Sequence, residues 1–160
     1  MLKKKIIILY IAITIFILDR LSKYFILKLS NSDDIFNISI TSFLNFNLVW
    51  NSGIAFGLFS FNEQFYYNVI TLVIIIITLV ILFFAINSSG VERIGFSIIL
   101  GGSLGNIFDR LYYAAVVDFI DIHINNIHWF IFNVADIFIS LGVIILISVE
   151  LLKKKNEHNC

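Results

Sequence analysis

Two aspartates stand in stretches of this chain that are otherwise almost wholly apolar. Asp118 lies in Val116-Val117-Asp118-Phe119-Ile120, and Asp136 in Phe132-Asn133-Val134-Ala135-Asp136. An ionisable side chain at membrane depth is costly, and where one is kept it marks function. Two carboxylates brought together resist double ionisation, so one keeps its proton while the other is charged. That sets a general acid beside a general base, a pair that can hydrolyse an amide through an activated water. Asp118 and Asp136 are therefore the candidate catalytic pair.

The apolar stretches decide the class of protein. Of 160 residues, 59% are hydrophobic and 14% charged, against roughly 25% charged in soluble domains. A soluble domain of this size cannot hide so much apolar surface, so lipid must be the solvent for most of it. The formal net charge is zero, which gives no basic field for nucleic acid. The only cysteine is Cys160, so no intrachain disulfide forms, and a thiol there has no oriented base. Neither H-E-x-x-H nor G-x-S-x-G occurs, which leaves zinc-peptidase and serine-hydrolase mechanisms without support. Asp118, Asp121, His123 and His128 are of metal-ligating type. Asp121 and His123, however, alternate with isoleucines and are expected on the solvated face of an outer strand. No metal and no cofactor is expected.

A membrane span needs about 20 mostly apolar residues. Four segments qualify, at 6–29, 67–86, 94–113 and 129–152. The expected fold is all-α and membrane-embedded: a bundle of four transmembrane helices with short β-strands in the outer loops, one domain over 1–160. Lys3, Lys4 and Lys5 before an apolar run resemble a signal peptide, but Asp19-Arg20 follow instead of a small-residue cleavage site. The run is expected to stay as the first span. Lys3 to Lys5, Arg93, and Lys153 to Lys155 all fall on one side, which makes that side and both termini cytoplasmic. Trp50, Tyr66, Tyr67, Tyr112, Tyr113 and Trp129 cluster near the opposite boundary, as interfacial aromatics do. Period-two alternation over 44–50 and 120–124 predicts two short outer strands.

At about 1.5 Å per helical residue, Asp19, Asn106, Asp109 and Asp136 all fall in the outer third of a core about 30 Å thick. Polar groups from separate segments at one depth predict one polar site near the outer face. Asn106, Asp109 and Arg110 share a helical face, as do Asp19 and Lys23. Each set reads either as a structural ion pair or as groups ordering the site. Arg20 is expected to point away from Asp19 and snorkel outward. Gly101 and Gly105 form a G-x-x-x-G face for helix packing. Two rival functions remain: a proton-conducting or transport protein, and a non-catalytic assembly factor. The first lacks polar residues leading to the cytoplasmic side, and the second leaves the two aspartates unexplained.

Five short motifs in this order resemble lipoprotein signal peptidase, or signal peptidase II, along essentially the whole chain. They are Asp19-x-x-x-Lys23, Asn51-Ser52-Gly53-Ile54-Ala55-Phe56-Gly57, Gly101 through Arg110, Val116-Val117-Asp118-Phe119, and Phe132-Asn133-Val134-Ala135-Asp136. One departure is Ile54, where the family commonly has a small residue. The resemblance implies an aspartyl endopeptidase of the bacterial inner membrane. Such an enzyme removes signal peptides from prolipoproteins, cutting before a cysteine that already carries diacylglycerol. It implies Asp118 and Asp136 as the catalytic dyad, with Asp19, Lys23, Asn51, Asn106, Asp109, Arg110 and Asn133 in support. Lipid-modified prolipoproteins, membrane lipids and the family's cyclic lipopeptide inhibitors are the implied partners. Which aspartate holds the proton belongs to the coupled pair and is left open.

Overall fold

The structure, a computed structural model, describes residues 2–30, 36–52, 63–124 and 127–158. Its elements run α1 Leu2–Leu29, β1 Asn37–Thr41, β2 Leu44–Asn51, α2 Glu63–Asn87, α3 Gly90–Tyr113, β3 Val116–Ile124, β4 Ile127–Phe132 and α4 Val134–His158. The molecule is mostly helical with one small antiparallel sheet, ordered β1-β2-β3-β4. The chain has no proline, so nothing breaks the long apolar runs. α2 and α4 are long and apolar enough to cross a membrane, over Gln64–Asn87 and Val134–Lys155.

Burial runs opposite to the pattern of a protein in water. Ile6, Leu9 and Ile17 of α1, Leu72, Ile76 and Phe83 of α2, and Ile144 and Leu151 of α4 are exposed, while Asp19, Lys23, Asp109 and Asn133 are fully buried. So much contiguous apolar surface is foreign to soluble monomers. With lipid outside, it is the arrangement expected, since polar side chains then turn to the bundle interior.

α3 packs against α1, α2 and α4 alike, and its small residues let the neighbours in. A Cβ added at Gly101 would lie 2.8 Å from the Ala12 carbonyl oxygen, and one at Gly105 would lie 2.5 Å from Asp19 Oδ2. The expected glycine face is thus the α1 contact. Gly102 serves α4 in the same way, 2.6 Å from the Ala135 carbonyl oxygen.

α3 ends at Ala114, whose φ of 56° turns the chain sharply into β3. β3 pairs with β2 and β4, and the register with β2 shifts between Phe46 and Val49, just before Val49 meets Asp118. Such irregularities re-aim side chains beside functional sites. β4 then leads through Asn133 directly into α4.

Several expectations are corrected. The start of the fourth span, placed at Trp129, belongs to β4, and α4 begins only at Val134. A short apolar run fits either element by pattern, and pairing with β3 decides it. Asp121 is not solvated: it is buried, and its two oxygens lie 3.0 and 2.8 Å from His128 Nδ1. On the same strand Ile122 and Ile124 are the exposed residues. Of the Asn51–Gly57 motif, residues 53–57 lie outside the described residues.

Candidate active site

Asp118 is supplied by β3 and Asp136 by the first turn of α4. Asn133 joins them. It caps α4: its Oδ1 accepts from the Asp136 backbone N–H at 3.1 Å, and its own backbone N–H donates to Asp136 Oδ2 at 3.1 Å. This reciprocal pair is a capping box, which satisfies two otherwise orphaned helix donors. The Asn133 Nδ2 group is left to donate to Asp118 Oδ1 at 2.6 Å. One buried side chain thus sets the strand aspartate against the helix aspartate.

Two further amides reach the pair. Asn51, at the end of β2, donates from Nδ2 to Asp118 Oδ2 at 2.8 Å. Asn106 of α3 donates from Nδ2 to Asp136 Oδ1 at 2.8 Å. Lys23 Nζ donates to Asn106 Oδ1 at 3.0 Å and so fixes which end of that amide faces Asp136.

The cations are held elsewhere. Lys23 Nζ lies 3.0 Å from Asp19 Oδ1 and 2.7 Å from Asp109 Oδ2. Arg20 Nη2 lies 2.7 Å from Asp19 Oδ2, and Nη1 lies 2.5 Å from Asp109 Oδ1. Arg20 therefore does not snorkel outward; its planar fork spans the two carboxylates, with its guanidinium carbon 4.7 Å from the Phe108 ring centre. Four side chains make a closed, alternating ring of charge that sums to zero. Each carboxylate in it has two cationic partners, which offsets the cost of burying it.

Asp118 and Asp136 have amide donors but, among the described residues, no Lys or Arg within ion-pair distance. Two of these four carboxylates are neutralised and two are not. Burial pushes the Asp118 carboxyl up from 3.8 to about 6, with the nearby Asp136 charge adding to it; Asn51, Asn133 and Lys23 pull the other way. A carboxyl near 6 gives or takes a proton close to neutral pH, as acid–base catalysis needs.

The sequence-predicted residues thus divide. Asp118, Asp136, Asn133, Asn51 and Asn106 form one hydrogen-bonded group, and Lys23, Asp19 and Asp109 form the ring behind it. Arg110 stands apart: its guanidinium carbon lies 5.5 Å from the Tyr67 ring centre, and its buried Nε and Nη1 make no hydrogen bond among the described residues. Sequence reasoning missed Arg20 as a member of the ring and the capping role of Asn133. The N-x-x-D spacing ahead of an apolar run was the available signal for the cap. Among the described residues, no group of three ligating side chains suits a metal ion.

The family described as Signal peptidase (SPase) II matches residues 11–152. A lipoprotein signal peptidase of Pelagibacter ubique is 49% identical over 154 residues, 94% of this chain and 93% of that one. One from Wigglesworthia glossinidia brevipalpis is 43% identical over 143 residues, 86% of this chain and 89% of that one. A bacterial membrane enzyme solved in meso at 2.3 Å resolution superposes with a TM-score of 0.76 at 30% identity, covering 93% of this chain and 90% of its own. With the family match spanning most of the sequence, the chain belongs to the signal peptidase II family.

Proposed function

We propose that this protein is an aspartyl endopeptidase that removes signal peptides from diacylglyceryl-modified prolipoproteins. It cuts before the lipidated cysteine, in the outer part of the bacterial inner membrane, as one domain with four spans and both termini cytoplasmic. The observation that carries the aspartyl mechanism is the unequal treatment of four carboxylates. Asp19 and Asp109 share Arg20 and Lys23, while Asp118 and Asp136 are tied to each other through Asn133 without a cation. A carboxylate pair without a cation is left to share a proton.

In the proposed reaction a water sits between Asp118 and Asp136. The ionised member removes one of its protons as the oxygen attacks the scissile carbonyl carbon, and the protonated member gives its proton to the carbonyl oxygen. Collapse of the tetrahedral intermediate breaks the C–N bond, and the amine of the lipidated cysteine leaves with a proton from the pair. The substrate backbone needs polar partners there, because lipid offers none. Asn51 and Asn133 border the dyad, and Arg110 keeps Nε and Nη1 buried without a partner among the described residues, so they would serve a peptide carbonyl or a developing oxyanion once substrate binding uncovers them. The same groups suit the backbone of a cyclic lipopeptide inhibitor.

The test uses the full chain in lipid nanodiscs with a synthetic precursor, with and without diacylglycerol on its cysteine. Only the modified precursor should be cut, giving a product that begins at that cysteine. Equal cleavage of the unmodified precursor, or a cut elsewhere, would refute the assignment.

A further inference from the structure

The ring of charge behind the dyad is attached to it at two matched points. Asp19 Oδ1 accepts the backbone N–H of Ala135, at 3.0 Å. Asp109 Oδ2 accepts the backbone N–H of Val117, at 3.2 Å. Ala135 immediately precedes Asp136, and Val117 immediately precedes Asp118. Each buried carboxylate therefore holds the main chain one residue before a dyad aspartate, one on the helix and one on the strand. Both acceptors and both held residues are buried.

Arg20 joins the two holders. Its Nε and Nη2 lie 3.2 and 2.7 Å from Asp19 Oδ2, its Nη1 lies 2.5 Å from Asp109 Oδ1, and Nη2 also donates to the Gly105 carbonyl at 3.1 Å. Phe16 and Phe108 flank the guanidinium, at 5.9 and 4.7 Å from its carbon. Lys23 also touches both holders, but as a single rotating ammonium with three acceptors around it, Asn106 included. Only the guanidinium is a rigid plane that fixes the distance between two carboxylates.

We infer that Arg20 is a positioning residue: by spanning Asp19 and Asp109 it sets the spacing between the strand and the helix that carry Asp118 and Asp136. The inference rests on the proposed function for its kinetic consequence, not for its geometry. Arg20 touches neither dyad member in any described contact, and it acts through Ala135 and Val117. The charged side chains packed around Arg20 are Asp19 and Lys23 on α1 and Asp109 on α3, while Arg110 lies apart against Tyr67. A change at Arg20 is thus read against Lys23, Asp109 and Arg110 left in place.

The test compares Arg20→Lys and Arg20→Gln with the unaltered full chain in nanodiscs. Arg20→Lys keeps the ring neutral but loses the fork, so it separates charge from geometry even where Arg20→Gln fails to fold. In both variants kcat should fall about 100-fold, the loss that a misplacement of about 1 Å brings to a positioned reacting group, while KM stays unchanged. The two carboxyl titrations of the dyad, followed by infrared spectroscopy of ¹³C-labelled aspartate and assigned with Asp118→Asn and Asp136→Asn, should draw together by about one pH unit as their coupling weakens. Unaltered kcat and titrations in Arg20→Lys would reduce Arg20 to a counter-charge and overturn the inference. The infrared titration needs no substrate, so an unaltered chain that fails to cleave counts against the proposed function while the role of Arg20 is still decided.

Discussion

Replacing Asp118 with Asn should make the protein more stable near neutral pH. Asp118 lies on β3, outside the helices, and only 3% of it is exposed. Burial first, and Asp136 after it, lift its carboxyl from 3.8 to about 6. The folded protein therefore holds this proton more tightly than the unfolded chain does. Its contribution is fully present below about pH 4 and is lost as pH rises to about 6. At 1.36 kcal/mol per pH unit, the loss amounts to about 3 kcal/mol. The replacing amide carries no charge to bury. It does offer one acceptor fewer, because Asn133 and Asn51 donate to separate oxygens of Asp118; one amide must turn or go unpaired, at about 1 kcal/mol. The variant should thus be about 2 kcal/mol more stable than the unaltered protein at pH 7 and slightly less stable at pH 4. Unfolding in mixed micelles, titrated with denaturing detergent between pH 4 and pH 7.5, reads the difference directly. A stability gap that does not change over that range would show that Asp118 is not held as an uncompensated buried carboxyl.

Three other perturbations follow from the same geometry. Gly105→Ala drives a methyl into Asp19 Oδ2; it should cost about 1–3 kcal/mol, as overpacking does, and cut cleavage sharply, whereas the same change at Gly90, where a Cβ meets nothing within 4 Å, should leave cleavage intact and show only modest backbone strain in unfolding. Cleavage should survive EDTA and 1,10-phenanthroline, and a loss that added zinc reverses would bring Asp121, His123 and His128 back as ligands. In a Cys160→Ser background, a cysteine at Ser39 should react with an impermeant thiol reagent from outside and one at Ser89 only after permeabilisation; the reverse pattern would invert the proposed topology.

The helices are legible in the sequence because a membrane enzyme needs long apolar runs, and the grouping of the polar residues because they interrupt those runs at one level. Helical spacing alone places Asp19, Lys23, Asn106 and Asp109, and the structure brings them together. The strands are harder to read. β1 is five residues, all exposed, too short for its alternation to stand out. Ile127 to Phe132 is apolar in a way that suits a helix or a strand, and only its pairing with β3 tells which. Asp121 falls on the wrong face when polarity is taken to point toward water, whereas here the interior is the polar side. Arg20 is misplaced by its Cα direction, about 100° from Asp19 around the helix. Its side chain is long enough to turn back to Asp19 and cross to Asp109 on α3, a reach that periodicity does not encode.

The most direct test of the central claim is cleavage of a diacylglyceryl-modified precursor by the unaltered chain, Asp118→Asn and Asp136→Asn, each folded and inserted, with the new amino terminus read by mass spectrometry. Removing either half of an acid–base pair leaves one carboxyl that cannot both activate the water and protonate the carbonyl. The unaltered chain should release a product that begins at the lipidated cysteine, and each variant should release none above background. Cleavage at the unaltered rate by either variant would contradict the aspartyl mechanism.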